Sequence, residues 1–83
     1  MSAAEFVRNV NPVYAADQKL WKVGDHYVVT STVTGRDPET RVFAADAAGR
    51  ITTWGDLPGS FAGQADHEGA IADYVDSIIE AAS

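Results

Sequence analysis

The sequence contains no cysteine, so neither a disulfide framework nor a thiolate metal site is open to it, and packing alone must hold the fold in a reducing compartment. Long apolar runs are missing as well. No window approaches the roughly 18 consecutive apolar residues of a membrane-spanning helix, and Met1 to Val10 has neither the basic start nor the apolar centre of a secretory leader. On these absences the chain is expected to be cytoplasmic. Bases are scarce, six Lys and Arg against twelve Asp and Glu. No lysine stands in a glycine-rich phosphate loop, and no G-x-G-x-x-G start is present. There is no internal repeat, no low-complexity tract and no linker long enough to divide the chain.

Eighty-three residues, 46% of them hydrophobic and 22% charged, make a single domain spanning 1-83. A chain of this length buries only roughly 60–65% of its unfolded surface and cannot sustain two cores. The composition is that of a globular domain despite a net charge of −6. That charge is unevenly placed. Up to Ala45, five acids are balanced by Arg8, Lys19, Lys22, Arg36 and Arg41; from Asp46 onward, seven acids face Arg50 alone. The acidic half repels phosphate backbones and anionic membranes, so neither is expected as a direct ligand, whereas a basic protein surface is compatible with it.

Periodicity predicts an α+β fold: an antiparallel meander of three to four strands with a C-terminal amphipathic helix on one face. Ser2-Ala3-Ala4-Glu5 has capping-box spacing and predicts a short N-terminal helix over about Ala3 to Asn9, ended by Asn11-Pro12. Lys19 to Val23 and His26 to Thr34 read as a hairpin around Gly24-Asp25, a glycine-first loop suited to a type II′ turn. In the second strand Tyr27, Val29, Ser31 and Val33 share one face and His26, Val28, Thr30, Thr32 and Thr34 the other. Arg41 to Ala45 and Arg50 to Trp54 form a second hairpin around Asp46-Ala47-Ala48-Gly49, a type I turn with a left-handed glycine. Gly55 to Gly63 carries three glycines and Pro58 and is expected to cross as a loop pinned by Trp54, Leu57 and Phe61.

The last segment has the strongest pattern. Asp66 is a good N-cap, and Ile71, Tyr74, Val75, Ile78, Ile79 and Ala82 recur at steps of three and four, predicting a helix to about Ala81 with all of these on its buried stripe. Burial of such residues at about 1.5–3 kcal/mol each is a large share of a small domain's stability.

The opposite side of that helix carries Asp73, Asp76, Ser77 and Glu80. Like charges three and four apart repel, and a glutamate near a helix C-terminus opposes the dipole, so local stability did not select them. Asp73, Asp76 and Glu80 are therefore the candidate partner-binding residues. The competing explanation is a solvated face, or one neutralised by Arg41, Arg50 or a lysine of the same fold.

Other constellations are weaker. Asp66-His67-Glu68 are consecutive and diverge on a helix, so no metal site is expected from them, with His26 far along the chain. In Gly59-Ser60-Phe61-Ala62-Gly63 the serine is not central between the glycines, so the turn is not a nucleophile elbow. No nucleophile, base and orienter can be assembled, and the protein is not expected to be an enzyme or to need a cofactor. If both faces of the meander carry apolar groups, as Val28 opposite Tyr27, Val29 and Val33 implies, an uncovered sheet side would serve as a dimer or partner surface.

The stretch Phe43-Ala44-Ala45-Asp46-Ala47-Ala48-Gly49-Arg50-Ile51-Thr52, followed by Trp54-Gly55-Asp56-Leu57, Gly59-Ser60-Phe61, Gly63 and Asp66-His67-Glu68-Gly69-Ala70, resembles short actinobacteriophage proteins of the mycobacteriophage type. The resemblance covers about residues 43-70 and carries no catalytic motif. It implies a phage protein acting in the host cytoplasm by binding a host protein. The alternatives from other classes are an acidic DNA mimic that blocks a DNA-binding protein and a homo-oligomeric structural component.

Overall fold

The computed structural model describes residues 4–10 and 17–82. The chain runs β1 (Ala4–Val10), β2 (Asp17–Val23), β3 (His26–Val33), β4 (Glu39–Ala45), β5 (Ile51–Thr53), β6 (Phe61–Ala62) and α1 (His67–Ala82). The first five strands form an antiparallel meander in sequence order, and β6 pairs with β4 beyond β5. The architecture is α+β with a C-terminal helix on a meander, as the periodicity requires. The sheet is larger than the three to four strands expected, for two reasons that lie at its edges.

At one edge, Ala4 to Val10 is a strand and not a helix. Phe6 lies opposite Trp21 in the β1–β2 ladder, and their rings meet edge to face at 5.5 Å. A local capping signal nucleates a short helix poorly, and pairing with a preformed hairpin outweighs it. Ser2, Ala3 and Asn11-Pro12, which carried the cap and stop of the expected helix, lie outside the described residues. At the other edge, the predicted loop contributes β6 to pairing with Glu39 and Thr40.

Between β5 and β6 the outer side of β4 stays satisfied without a strand. The Val42 carbonyl accepts from the Leu57 amide at 2.9 Å. The Val42 amide donates to the Ser60 hydroxyl at 3.0 Å, and that hydroxyl donates to the Leu57 carbonyl at 2.9 Å. Ser60 thus substitutes for a missing ladder partner, which protects a sheet edge from foreign strands.

The β2–β3 turn has Gly24 at φ 63, and Asp25 is not at positive φ, the sign pattern of the type II′ loop. Asp46 organises the β4–β5 turn: its carboxylate accepts from the amides of Ala48 and Arg50, each at 3.0 Å.

The helix covers the Val28 face of the sheet. Val23, Val28 and Val42 pack with Ala70, Ile71 and Tyr74, and Trp21, Leu57, Phe61, Val75 and Ile78 lean on that cluster. The other face is not bare. Leu20, Val29 and Phe43 stand in register across β2, β3 and β4 and are buried. The β4–β5 turn folds over this row: the Arg8 guanidinium donates to the Ala48 carbonyl, and buried Gly49 lies against Val10 and Leu20. Trp54, expected among the satellite core, touches Phe43 at 5.3 Å yet remains 69% exposed. Ile79, expected on the buried stripe, is 57% exposed. It lies eight residues beyond Ile71 on a helix of 3.6 residues per turn, and that offset rotates it off the docked side.

Gly59, in the 54–63 loop, lies close against the backbone of α1. A Cβ on Gly59, whose φ is 96, would stand 2.3 Å from the Ala70 carbonyl oxygen and 3.1 Å from the Tyr74 amide nitrogen. Gly59→Ala therefore meets helix backbone as well as a left-handed conformation, and loses at least about 2 kcal/mol in urea denaturation. Gly63→Ala, at φ 86 with open space around it, bears the conformational cost alone, about 1 kcal/mol.

Candidate functional site

The site is built from α1 outward. Asp66 caps the helix, its carboxylate accepting from the Gly69 amide at 3.0 Å, while its own amide donates to the Thr40 hydroxyl at 2.7 Å. Thr40 in turn donates to the Gln64 carbonyl at 2.8 Å. Cap and sheet are thereby joined through a fully buried threonine. With the start fixed in this way and Ile71 and Tyr74 buried, the helix phase is set. Asp73, Asp76 and Glu80 are exposed on the outward side, together with Ala72 and Ile79.

This brings the three predicted carboxylates onto one surface. Arg41, one of the bases that could have neutralised them, is committed elsewhere. Its guanidinium grips both oxygens of Glu39, each at 3.1 Å, and donates to Asp56 at 2.7 Å. The hydrogen bonds to Glu39 and then to Asp56 raise its already high pKa. Among the described residues no ion pair includes Asp73 or Asp76.

Sequence reasoning missed a second constellation. His67, in the first turn of α1, is wedged between two buried threonines of β3. Its Nδ1 lies 2.7 Å from the Thr30 hydroxyl and its Nε2 lies 3.1 Å from that of Thr32. Trp21 Nε1, a donor only, reaches the Thr30 oxygen at 2.9 Å. Thr30 accepts from Trp21 and shares a further hydrogen bond with Nδ1, while Thr32 meets Nε2, so both ring nitrogens are partnered. Burial, reinforced by the nearby Lys19 charge, lowers the pKa of His67. His26 meets the Tyr74 hydroxyl at 2.9 Å, and burial raises the Tyr74 pKa. The signal was present in the alternation of β3, since threonines on a helix-covered face demand partners, but nothing in sequence spacing says that His67 supplies them.

The two imidazoles thus serve as hydrogen-bonding links between helix and sheet. Among the described residues, no three His, Asp or Glu gather as they would around a metal ion. Beside Arg41 lies a shallow cleft of about 200 Å³ lined by Glu39, Asp56, Ser60 and Phe61. The guanidinium there is held by two carboxylates, and the Ser60 hydroxyl is committed to backbone. Among the described residues, no helix is long and apolar enough to cross a membrane.

The class that these features define is a small α+β meander domain with a cap-anchored acidic helix. Compared with protein-family models, curated proteins and solved structures, the chain matches none.

His67 titrates with a sign that can be worked out. Its pKa is lower folded than the ordinary imidazole value of 6.5, so the unfolded chain binds the proton more readily. The neutral-histidine contribution to stability is complete above that value and is lost as pH falls below it, through the lower folded pKa. In thermal melts between about pH 7.5 and 5.5, the wild type loses more of its Tm than His67→Gln, whose side chain does not titrate. Parallel curves for the two proteins would contradict the assignment.

Proposed function

We propose that this protein is a non-enzymatic interaction module, a phage-encoded modulator that binds a host protein with a basic surface through the outward face of α1. One observation carries this reading: Ile79, 57% exposed, stands one helical turn beyond Asp76 and next to Glu80. At that exposure an isoleucine contributes little to folding. Framed by carboxylates, it has the make-up of a recognition helix, with an apolar anchor for a groove and charges for the rim. Val75, half-buried and four residues before Ile79, extends the apolar line toward the core. The surrounding negative charge steers approach of a basic partner and sets its orientation. The reading needs no cofactor, and the resemblance to phage proteins supplies the setting, the host cytoplasm.

A DNA mimic is the second reading. It requires two rows of charge tracking a duplex, whereas this face offers three carboxylates in one helical row interrupted by an isoleucine. A groove on a protein suits that pattern better. Competition with DNA for a nuclease or repressor, lost as salt is raised, would restore the mimic reading.

The test is capture of a partner from an actinobacterial lysate, followed by affinity measurement with that purified partner. The triple charge reversal D73K/D76K/E80K abolishes capture, and Ile79→Ser weakens binding roughly tenfold or more. Because Ile79 is exposed, its replacement shifts folding stability by no more than about 0.5 kcal/mol. Equal yields of the same protein from the triple variant and the wild type would refute the acidic-helix proposal.

A further inference from the structure

His67 ties the first turn of α1 to β3 through the hydroxyls of Thr30 and Thr32, both buried. Each hydroxyl has one hydrogen to give, and among the described residues the His67 ring is the acceptor within reach of either. A neutral imidazole accepts at one nitrogen and donates from the other, so it takes one of those hydrogens. An imidazolium has two N–H groups and accepts none. On protonation the Thr30 oxygen receives the Trp21 Nε1 hydrogen and a ring hydrogen together, and both threonine hydrogens are left without an acceptor in a buried seam. Stranding one more buried donor shifts the balance between closed and open roughly tenfold or more.

The position of the ring works in the same direction. His67 opens α1, where the helix dipole disfavours a cation. Burial and the Lys19 charge of β2 also oppose a charged ring; Asp17 of β2, Asp66 and the Thr30 backbone favour one, and the balance lies with the neutral form. Glu68, next along the helix, is exposed. On the helix-covered face, β4 presents Thr40, Val42 and Ala44, with no ionisable group, and β3 presents only His26. His26 differs from His67: it is exposed, and its second nitrogen lies 3.7 Å from the Asp25 carboxylate, which compensates a charge. The rest of α1 is held by apolar contact, Ala70, Ile71 and Tyr74 docking on Val23, Val28 and Val42. We infer that His67 is a proton-operated latch, whose protonation releases residues 66–69 from β3 while Ile71 and Tyr74 stay docked on the sheet. The latch is closed above the ordinary imidazole value of 6.5 and opens as pH falls below it.

The latch lies on the buried side of α1 and does not rest on the partner reading of its outward face. Its test is amide hydrogen exchange on the full chain, followed by NMR well below the melting transition, with rates corrected for the intrinsic effect of pH. The reporters are the amides of Gly69 and Ala70, which bond to the Asp66 carboxylate and carbonyl, and that of Asp66, which bonds to Thr40. From about pH 7.5 to about pH 5 their protection falls roughly tenfold or more, whereas protection along the β2–β3 ladder holds. The ring protons of His67 titrate over the same range as that loss. His67→Gln keeps a donor and an acceptor at every pH and retains its protection, while His26→Gln behaves as the wild type does. If His67→Gln does not fold, the wild type still decides the matter, because its loss of protection must coincide with the ring titration of His67 and not with that of His26. Protection at residues 66–70 that ignores pH, that follows His26, or that disappears together with the whole sheet would overturn the inference.

Discussion

The fold depends on how closely α1 can approach the sheet. Ala70, Ile71 and Tyr74 close over Val23, Val28 and Val42, and the loop before β6 runs so near the helix that Gly59 has no room for a side chain beside the Ala70 carbonyl. That contact needs a glycine in the loop, because what lies opposite is helix backbone that cannot give way. It holds the loop where Leu57 and Ser60 can finish the edge of β4. Helix seating, loop path and edge protection are therefore one cooperative arrangement.

Between helix and sheet the core is partly polar. Thr30, Thr32 and Thr40 are buried and are answered by Trp21, His67, Asp66 and Gln64. No buried side-chain nitrogen or oxygen among the described residues lacks a partner. A satisfied network of this kind contributes less to stability than to register, because only one axial position and one rotation of α1 let every donor find its acceptor. The same rotation turns Ile79 and the carboxylates outward. The chemistry of the exposed face is thus a consequence of hydrogen bonds on the buried one.

Charge segregation in the sequence also acquires a spatial meaning. The balanced half of the chain makes β1 to β4, and its Arg41 is held by Glu39 and by Asp56 of the acidic half. The acidic half makes the helix, whose outward aspartates take part in no ion pair among the described residues.

The hairpin turns and the C-terminal helix were legible in the sequence because each is a local pattern. Gly24-Asp25 and Asp46 to Gly49 encode backbone sign and side-chain capping within four residues, and the isoleucine spacing encodes a helix whatever it packs on. Asp73, Asp76 and Glu80 were legible as a face for the same reason. β1 was not, because a capping signal within Ser2 to Glu5 competes with pairing to residues up to 19 positions away, and only the assembled ladder settles that contest. Nor were β6, the exposure of Ile79 and Trp54, or the lodging of His67 between threonines on another element. The sequence by itself determined turn chemistry, helix periodicity and the division of charge, all set by neighbours a few bonds apart. Tertiary structure alone decided which strand paired at the edge, how α1 was rotated and where its histidine found hydrogen-bond partners, because those energies come from groups that meet only once the chain has folded.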